Sequence, residues 1–258
     1  MDFSLKKYRE LLMALKGGGY LFHTFAQYCQ QTFVPDANYV VLRHDVDLKP
    51  QNSLETAQIE AELGIVASYY FRAVPESWDE TIIRKIASLG HEIGYHYESL
   101  TTCKGNVDEA YEDFCMNLER LRRIAPVSTI CMHGSPRSPY DSKDMWKTYD
   151  YRGLGIVGEP YLDADFSRLF YLTDTGRRWD GAKVSVRDKI PVWQDEWKRR
   201  GWSYYSTDDI LDAIRNGTFP PQLMMTTHPQ RWTDNKVEWT KELLLQSVKN
   251  IAKHLLVR

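Results

Sequence analysis

Short apolar runs of β character alternate with helix-periodic stretches along the whole chain. Tyr39-Val40-Val41-Leu42 reads as a buried strand, closed by the polar stretch His44-Asp45-Val46-Asp47. Ser53 to Leu63 follows as a helix stopped at Gly64, and Val66 to Phe71 as a second strand. Ser77, with Glu80 three residues on, has the capping-box pattern for a helix that Gly90 ends. Glu92 to Tyr97 is a third strand. From Asn106 a long helix sets Val107, Tyr111, Phe114, Leu118 and Leu121 on one face, and Pro126 closes it. Val127 to Met132 is a fourth strand, and fainter strand patterns fall at Leu154–Val157, Leu169–Leu172 and Trp202–Tyr205. Ser206 or Thr207 opens a helix over Asp208–Arg215, and Leu223–Thr227 is the last strand. The final helix aligns Val237, Leu244, Val248, Ile251 and Leu255.

Strands that alternate with helices imply parallel pairing, hence an α/β barrel or an open sheet. No internal repeat and no Pro/Gly/Ser linker divides the sequence, so residues 1–258 are expected to form a single domain. Residues 1–19, ending at Gly17-Gly18-Gly19, predict a peripheral helix, and 237–258 a C-terminal one. The least regular stretch is 134–190; loops that long in a compact domain are usually functional.

Composition narrows the function less than it narrows the fold. An apolar fraction of 43% allows a large core, and a net charge of -2 gives no reason to expect nucleic acid or an anionic membrane as partner. The 16 Tyr and 8 Trp suit stacking on sugar rings as well as core filling. Met1 to Lys7 lacks the unbroken apolar segment of a signal peptide, and no run is long enough to span a membrane. Cys29, Cys103, Cys115 and Cys131 show no CxxC spacing, and Cys115 and Cys131 read as reduced core thiols. Together these features predict a cytoplasmic protein.

Strand side chains alternate between faces, so Arg43, Asp45 and Asp47 point one way and His44 the other. Two carboxylates side by side repel each other and need a cation, a metal or a shared proton between them. A helix cap or Asx-turn before Pro50 would use one Asp but not two. Three further polar groups occupy the same station, the C-terminal end of a predicted strand: His96 with Glu98, His133 before Gly134-Ser135-Pro136, and His228 before Pro229. Active sites of α/β barrels lie at that end, although a lone histidine there is more often a hydrogen-bonded structural residue. Histidine nitrogens and carboxylates that bind a divalent ion permit metal-assisted hydrolysis.

Leu42-Arg43-His44-Asp45-Val46-Asp47, followed by Gly90-His91-Glu92-Ile93-Gly94-Tyr95-His96, resembles the polysaccharide deacetylase (NodB-homology, carbohydrate esterase 4) superfamily. The resemblance covers residues 38–230 by motif order, and runs to the branch with a His-Asp-Val-Asp motif found in surface-polysaccharide and O-antigen gene clusters. It implies a distorted (β/α) barrel of about seven strands. It also implies Asp45 as catalytic base, Asp47 and His96 as metal ligands, and His228 as general acid. Arg137-Ser138-Pro139-Tyr140 resembles the motif whose Arg tethers the base and whose Tyr backbone N–H helps form the oxyanion hole. The family's second metal histidine should stand at position 100, where this chain has Leu100. His133 or Glu98 is expected to complete the site for a divalent ion, zinc first among them.

The loop Asp174–Gly181 and the later Arg187-Asp188 are expected to hold substrate, with Arg177, Trp179, Asp180 and Arg187 in contact with it, Trp179 by stacking on a sugar and the arginines by binding an acidic or phosphorylated group. An ordinary solvated loop with internal ion pairs would use the same residues. The resemblance therefore implies hydrolysis of a non-peptide C–N amide bond, removing acetyl from an N-acetylated sugar, free or nucleotide- or lipid-linked. The departure at Leu100 leaves two alternatives. One is a metal-independent relative acting on another amide, such as a cyclic ureide; the other is a carbohydrate-binding protein without catalysis.

Overall fold

The computed structural model describes the chain apart from residues 33, 35, 136–137, 181–184, 186 and 257–258, with 251–256 described by backbone alone. Seven strands run β1 (Leu21–His23), β2 (Tyr39–Val46), β3 (Ser68–Phe71), β4 (Glu92–Tyr97), β5 (Ile130–Met132), β6 (Phe170–Thr173) and β7 (Gln222–Thr227). The helices are α1 (Leu5–Gly17), α2 (Phe25–Cys29), α3 (Pro50–Glu62), α4 (Glu80–Ser88) and α5 (Ser99–Thr102), then α6 (Val107–Arg122), α7 (Pro160–Asp163), α8 (Gln194–Arg199), α9 (Thr207–Arg215) and α10 (Lys236–Leu256).

Every strand pairing is parallel. The sheet order is β5-β4-β3-β2-β7-β6, with β1 added to β2. β2 is the hub. Its first half pairs with β1 from Leu21↔Tyr39, its second half with β3 from Arg43↔Ser68, and β7 follows its other edge from Tyr39↔Gln222 to His44↔Thr227. All eight residues of β2 are buried, as a strand covered on both faces should be. The sheet is a distorted (β/α) barrel left open between β5 and β6. At that opening the chain at 157–158 lies beside the start of β5: the Val157 N–H donates to the Ser128 carbonyl (2.8 Å) and the Ile130 N–H to that of Gly158 (3.2 Å).

One strand position requires glycine. A Cβ on Gly94 would stand 2.3 Å from the Tyr70 ring, which crosses that spot so that its hydroxyl reaches the Thr129 hydroxyl at 2.9 Å. The N-terminal helix is less peripheral than its position suggests. α1 buries Tyr8, Leu11, Leu12 and Leu15 and packs on α3 and α9.

The outward face of β2 carries a sealed polar cluster. His44 donates through Nε2 toward Glu60 (2.8 Å), whose carboxylate also accepts the Tyr8 hydroxyl and, at 2.8 Å, that of Tyr69. On its other side His44 Nδ1 meets the Thr227 hydroxyl at 2.6 Å. His91 joins through Nδ1, 3.6 Å from Glu60, while its Nε2 meets the Ala57 carbonyl at 3.0 Å.

Three local expectations fail for tertiary reasons. Asp79, not Ser77, caps α4, accepting the N–H groups of Thr81 and Ile82. Ser77 is buried and bridges two strand ends instead, donating to the Val46 carbonyl (2.5 Å) and accepting the Arg72 N–H (3.0 Å). Leu154–Val157 forms no strand, only a single bridge between Thr129 and Gly158. Nor does Trp202–Tyr205: Trp202 folds back on α8, its N–H donating to the Trp197 carbonyl at 2.9 Å.

Candidate active site

The C-terminal ends of β2, β4, β5 and β7 meet at one pocket of about 120 Å³, lined by Asp45, Asp47, His96, His133 and His228 among others. Strand alternation turns Arg43, Asp45 and Asp47 inward together. Arg43 clamps Asp45 with two hydrogen bonds, Nε to Oδ1 at 2.8 Å and Nη2 to Oδ2 at 2.6 Å. Both side chains are buried. Burial pushes the Asp45 carboxyl up, but Arg43 and then His96 outweigh it and hold it at about 2. The same guanidinium lies 5.0 Å from the Tyr161 ring and donates to the Tyr161 hydroxyl at 3.2 Å.

Asp47 is placed differently. Among the described residues no hydrogen bond reaches its buried Oδ1, yet His96 Nε2 stands 3.6 Å away and His133 Nε2 3.5 Å. Both histidines are fixed from behind. His96 Nδ1 donates to the Cys131 carbonyl at 2.9 Å, and His133 Nδ1 faces the Glu98 carboxylate at 2.8 Å. That arrangement leaves the two Nε2 atoms aimed at Asp47, and the three ligand atoms lie within 4.8 Å of one another. An unpartnered buried carboxylate oxygen facing two imidazoles, each held by a hydrogen bond on its far nitrogen, fits a divalent ion. A second group, Asp45, His96 and Cys131, meets the same distance test. The clamp on both Asp45 oxygens and the burial that holds the Cys131 thiol well above its ordinary value make it the poorer site.

Leu100 lies buried in α5 after β4 has ended, and the second imidazole facing Asp47 comes from His133. Glu98 stands behind His133, not beside it. Its carboxylate is occupied by Arg72 (2.6 Å to Nη2) and Ser135 (3.1 Å) as well as by His133. His133 and Arg72 overcome its burial and hold it at about 2.

His228 completes the opposite wall. Its Nδ1 faces Asp174 Oδ1 at 2.6 Å, leaving Nε2 directed at Asp47 Oδ2, 4.0 Å away. Asp174 is buried and saturated: it accepts the His228 backbone N–H (3.0 Å), Arg231 Nη1 (2.6 Å) and Trp232 Nε1 (2.8 Å). Burial and Arg231 push the His228 imidazole down, but Asp174 and Asp47 outweigh them, and its pKa is raised.

The remaining expected residues separate. Arg187 lines the pocket and donates to the Ser138 carbonyl at 2.8 Å. Tyr140 lies outside the lining, and its N–H donates to Ser138 Oγ at 3.1 Å rather than standing free for an oxyanion. Trp179 and Asp180 border a neighbouring cavity of about 290 Å³, which shares Asp188 with the site. Trp179 is buried there with its Nε1 donating to Thr207 (2.9 Å). Arg177 is buried away from both, between the Phe3 ring (5.2 Å) and the Trp239 ring (4.9 Å). Arg137 lies outside the described residues.

Three residues take parts that the sequence reading did not give them. Arg43 was visible on the right face, but not as the clamp on Asp45. Asp174 follows β6 and so occupies the same strand-end station as the others, a signal that was present. Asp188, offered with Arg187 as a substrate contact, instead accepts hydrogen bonds from the hydroxyls of Tyr161 (3.1 Å), Tyr171, Thr173 (2.7 Å) and Thr175.

No protein-family model matches the chain, and no curated protein matches it. Among solved structures it is similar to a CE4 family pseudoenzyme from Bacillus anthracis and to a mutant of that protein, each at 13% identity and TM-score 0.40 over 85% of this chain. It spans 64% of the mutant chain and 63% of the wild-type one. It is similar also to PdaA of Bacillus subtilis, a family 4 carbohydrate esterase, at 10% identity and TM-score 0.40, over 93% of this chain and 84% of that one. Overlap at this level assigns no role to any residue here.

Proposed function

We propose that this protein is a hydrolase of a non-peptide C–N amide bond that removes acetyl from an N-acetylated sugar, free or nucleotide- or lipid-linked, in the making of surface polysaccharide such as O-antigen. The observation that carries the reading is the convergence of Asp47, His96 and His133 between a clamped carboxylate on one side and a carboxylate-backed histidine on the other. Asp47, His96 and His133 would hold a divalent ion, zinc by ligand type. Such an ion would supply Lewis acidity toward water and the amide carbonyl.

The chain's own groups divide the proton work. Asp45 accepts the proton of the attacking water. Clamped at about 2, it is a weak base, so it suits a water already made acidic. His228, whose protonated form Asp174 favours, gives its Nε2 proton to the departing amine as the C–N bond breaks. Arg187, which lines the pocket, offers charge and hydrogen bonds to sugar hydroxyls. Trp179 and Asp180 would serve a substrate long enough to enter the adjoining cavity.

Zinc titration of the metal-stripped protein and acetate release from N-acetylated oligosaccharides test the assignment. Asp47→Ala and His96→Ala should lose zinc, while His228→Ala keeps zinc and loses turnover. Activity that survives chelation would replace this reading with the metal-independent amidohydrolase. Sugar binding without acetate release on any such substrate would favour the binding protein.

A further inference from the structure

The cavity beside the candidate active site is more than twice its size, about 290 Å³ against about 120 Å³, and the two share Asp188. Its walls are aromatic. Trp197, Trp202 and Tyr204 surround Phe170 at ring-centroid distances of 5.2, 5.6 and 6.2 Å, each set edge-to-face against it. Trp202 is only half-buried. Among these rings stands Gln194, whose side-chain amide makes no hydrogen bond among the described residues. Aromatic walls with one open amide suit a nucleobase. The rings stack on its faces, and the amide offers its edge a donor and an acceptor side by side.

The segment between the two pockets carries cations. Arg187 lines the active site, Lys189 lines the aromatic cavity, and a tight turn joins them, the Lys189 N–H donating to the Arg187 carbonyl at 2.9 Å. Asp188 pins that turn: its Oδ1 accepts the hydroxyls of Tyr161 and Tyr171, and its Oδ2 those of Thr173 and Thr175. Neither cation pairs with a carboxylate among the described residues; Arg187 meets the carbonyls of Ser135 (3.4 Å) and Ser138 (2.8 Å). The two carboxylates of the cavity lining are spent, Asp188 on its four hydroxyls and Asp180 on Arg178, whose Nη2 lies 2.5 Å away. Two cations without counter-charge, placed where one pocket passes into the other, fit a diphosphate.

We propose that the aromatic cavity binds the base of a nucleoside diphosphate, so that the substrate is an N-acetylated sugar carried on that nucleotide. The substrate half of this inference rests on the reading of the neighbouring pocket as a deacetylase site. The base lies against Trp202 and Tyr204 with its edge to Gln194, the diphosphate passes between Lys189 and Arg187, and the sugar reaches Asp45 and His228. A longer oligosaccharide would bring hydroxyls to a wall whose carboxylates are spent and nothing to the cations. A lipid tail would bury Gln194 and Lys189 without partners.

Calorimetric titration of the zinc-loaded protein with the diphosphates of uridine, cytidine, adenosine and guanosine tests this. At least one should bind with a Kd of about 100 μM or less, and inorganic pyrophosphate and diacetylchitobiose about tenfold more weakly or worse. Trp202→Leu, which keeps bulk against Phe170, should weaken the best nucleotide about 5- to 100-fold. Gln194→Ala, on a half-exposed side chain, should narrow the differences among the four bases. Lys189→Ala should weaken the diphosphate about tenfold and leave the free nucleoside unchanged. The proposal is overturned if none of the four binds, if pyrophosphate or diacetylchitobiose binds as tightly as the best of them, or if all three variants bind like the parent. Acetate release from chitooligosaccharides with no nucleotide bound would overturn it and leave the deacetylase reading standing. Nucleotide binding without acetate release from the matching nucleotide-linked N-acetylhexosamine would keep the base site and overturn the deacetylase reading.

Discussion

His44 and Asp45 are adjacent on β2, yet one side chain enters a closed cluster and the other an open pocket. Around Glu60, two histidines, two tyrosines and a threonine, all buried, hydrogen-bond or pair with one another. Around Asp47, three imidazoles approach one carboxylate, and its Oδ1 has no hydrogen bond among the described residues. The residue types are nearly the same. What differs is whether any polar atom is left over. A saturated buried network fixes the fold, whereas an unpartnered oxygen faced by two aimed imidazoles needs a further group.

The sharpest way to break this contrast is Asp45→Asn, which should lower the rate of the proposed deacetylation by about 10²–10⁴-fold, as removal of a general base does. Asparagine keeps an oxygen for Arg43 Nε but leaves a buried guanidinium without its counter-charge, so the melting temperature should fall too. Zinc affinity, measured by calorimetry, should hold. If zinc is lost with activity, Asp45 is a ligand rather than a base.

Glu60→Ala should act in the opposite sense. It strips the acceptor from His44, Tyr8 and Tyr69 and should cost about 3–5 kcal/mol of stability in urea unfolding, as breaking a buried ionic cluster does. Zinc binding by the folded fraction should not change. Loss of zinc at constant fold would show that the two clusters are one system.

Acid should dismantle both sides. Burial raises the Glu60 carboxyl, but His44 and His91 outweigh it, so its folded pKa lies below the ordinary 4.5. Glu98 behaves alike and is held at about 2. Each contributes stability that is present above its unfolded pKa and lost as pH falls through the folded one. Unfolding free energy should therefore decline as the pH drops below 4.5 toward about 2. Glu60→Ala should flatten part of that slope; an unchanged slope would remove Glu60 from the account.

Smaller effects refine the picture. Glu98→Gln removes the charge that holds His133 and should weaken zinc by about 10–100-fold while Asp47 and His96 remain. An unaltered affinity would demote His133 from the ligand set. At the bottom of the scale, Arg9→Ala breaks only the exposed pair with Glu62 and should change stability by less than about 1 kcal/mol. A larger loss would mean that α1 is held to α3 by charge rather than by its buried Tyr8, Leu11 and Leu12.

What the chain's own order determined is what depends on neighbours along it. Alternation of strand and helix, the four strand-end stations, and the shared face of Arg43, Asp45 and Asp47 all follow from backbone periodicity, which acts over a few residues. Tertiary structure decided which groups complete one another. Leu100 turned into α5 and His133 came in from β5; Glu98 stepped back behind it. Arg43 took Asp45, Asp174 reached His228 across the β6–β7 pairing, and Ser77 left its helix for the end of β2. Those choices rest on the register of parallel strands, set by contacts between residues far apart in sequence, and no local pattern encodes it.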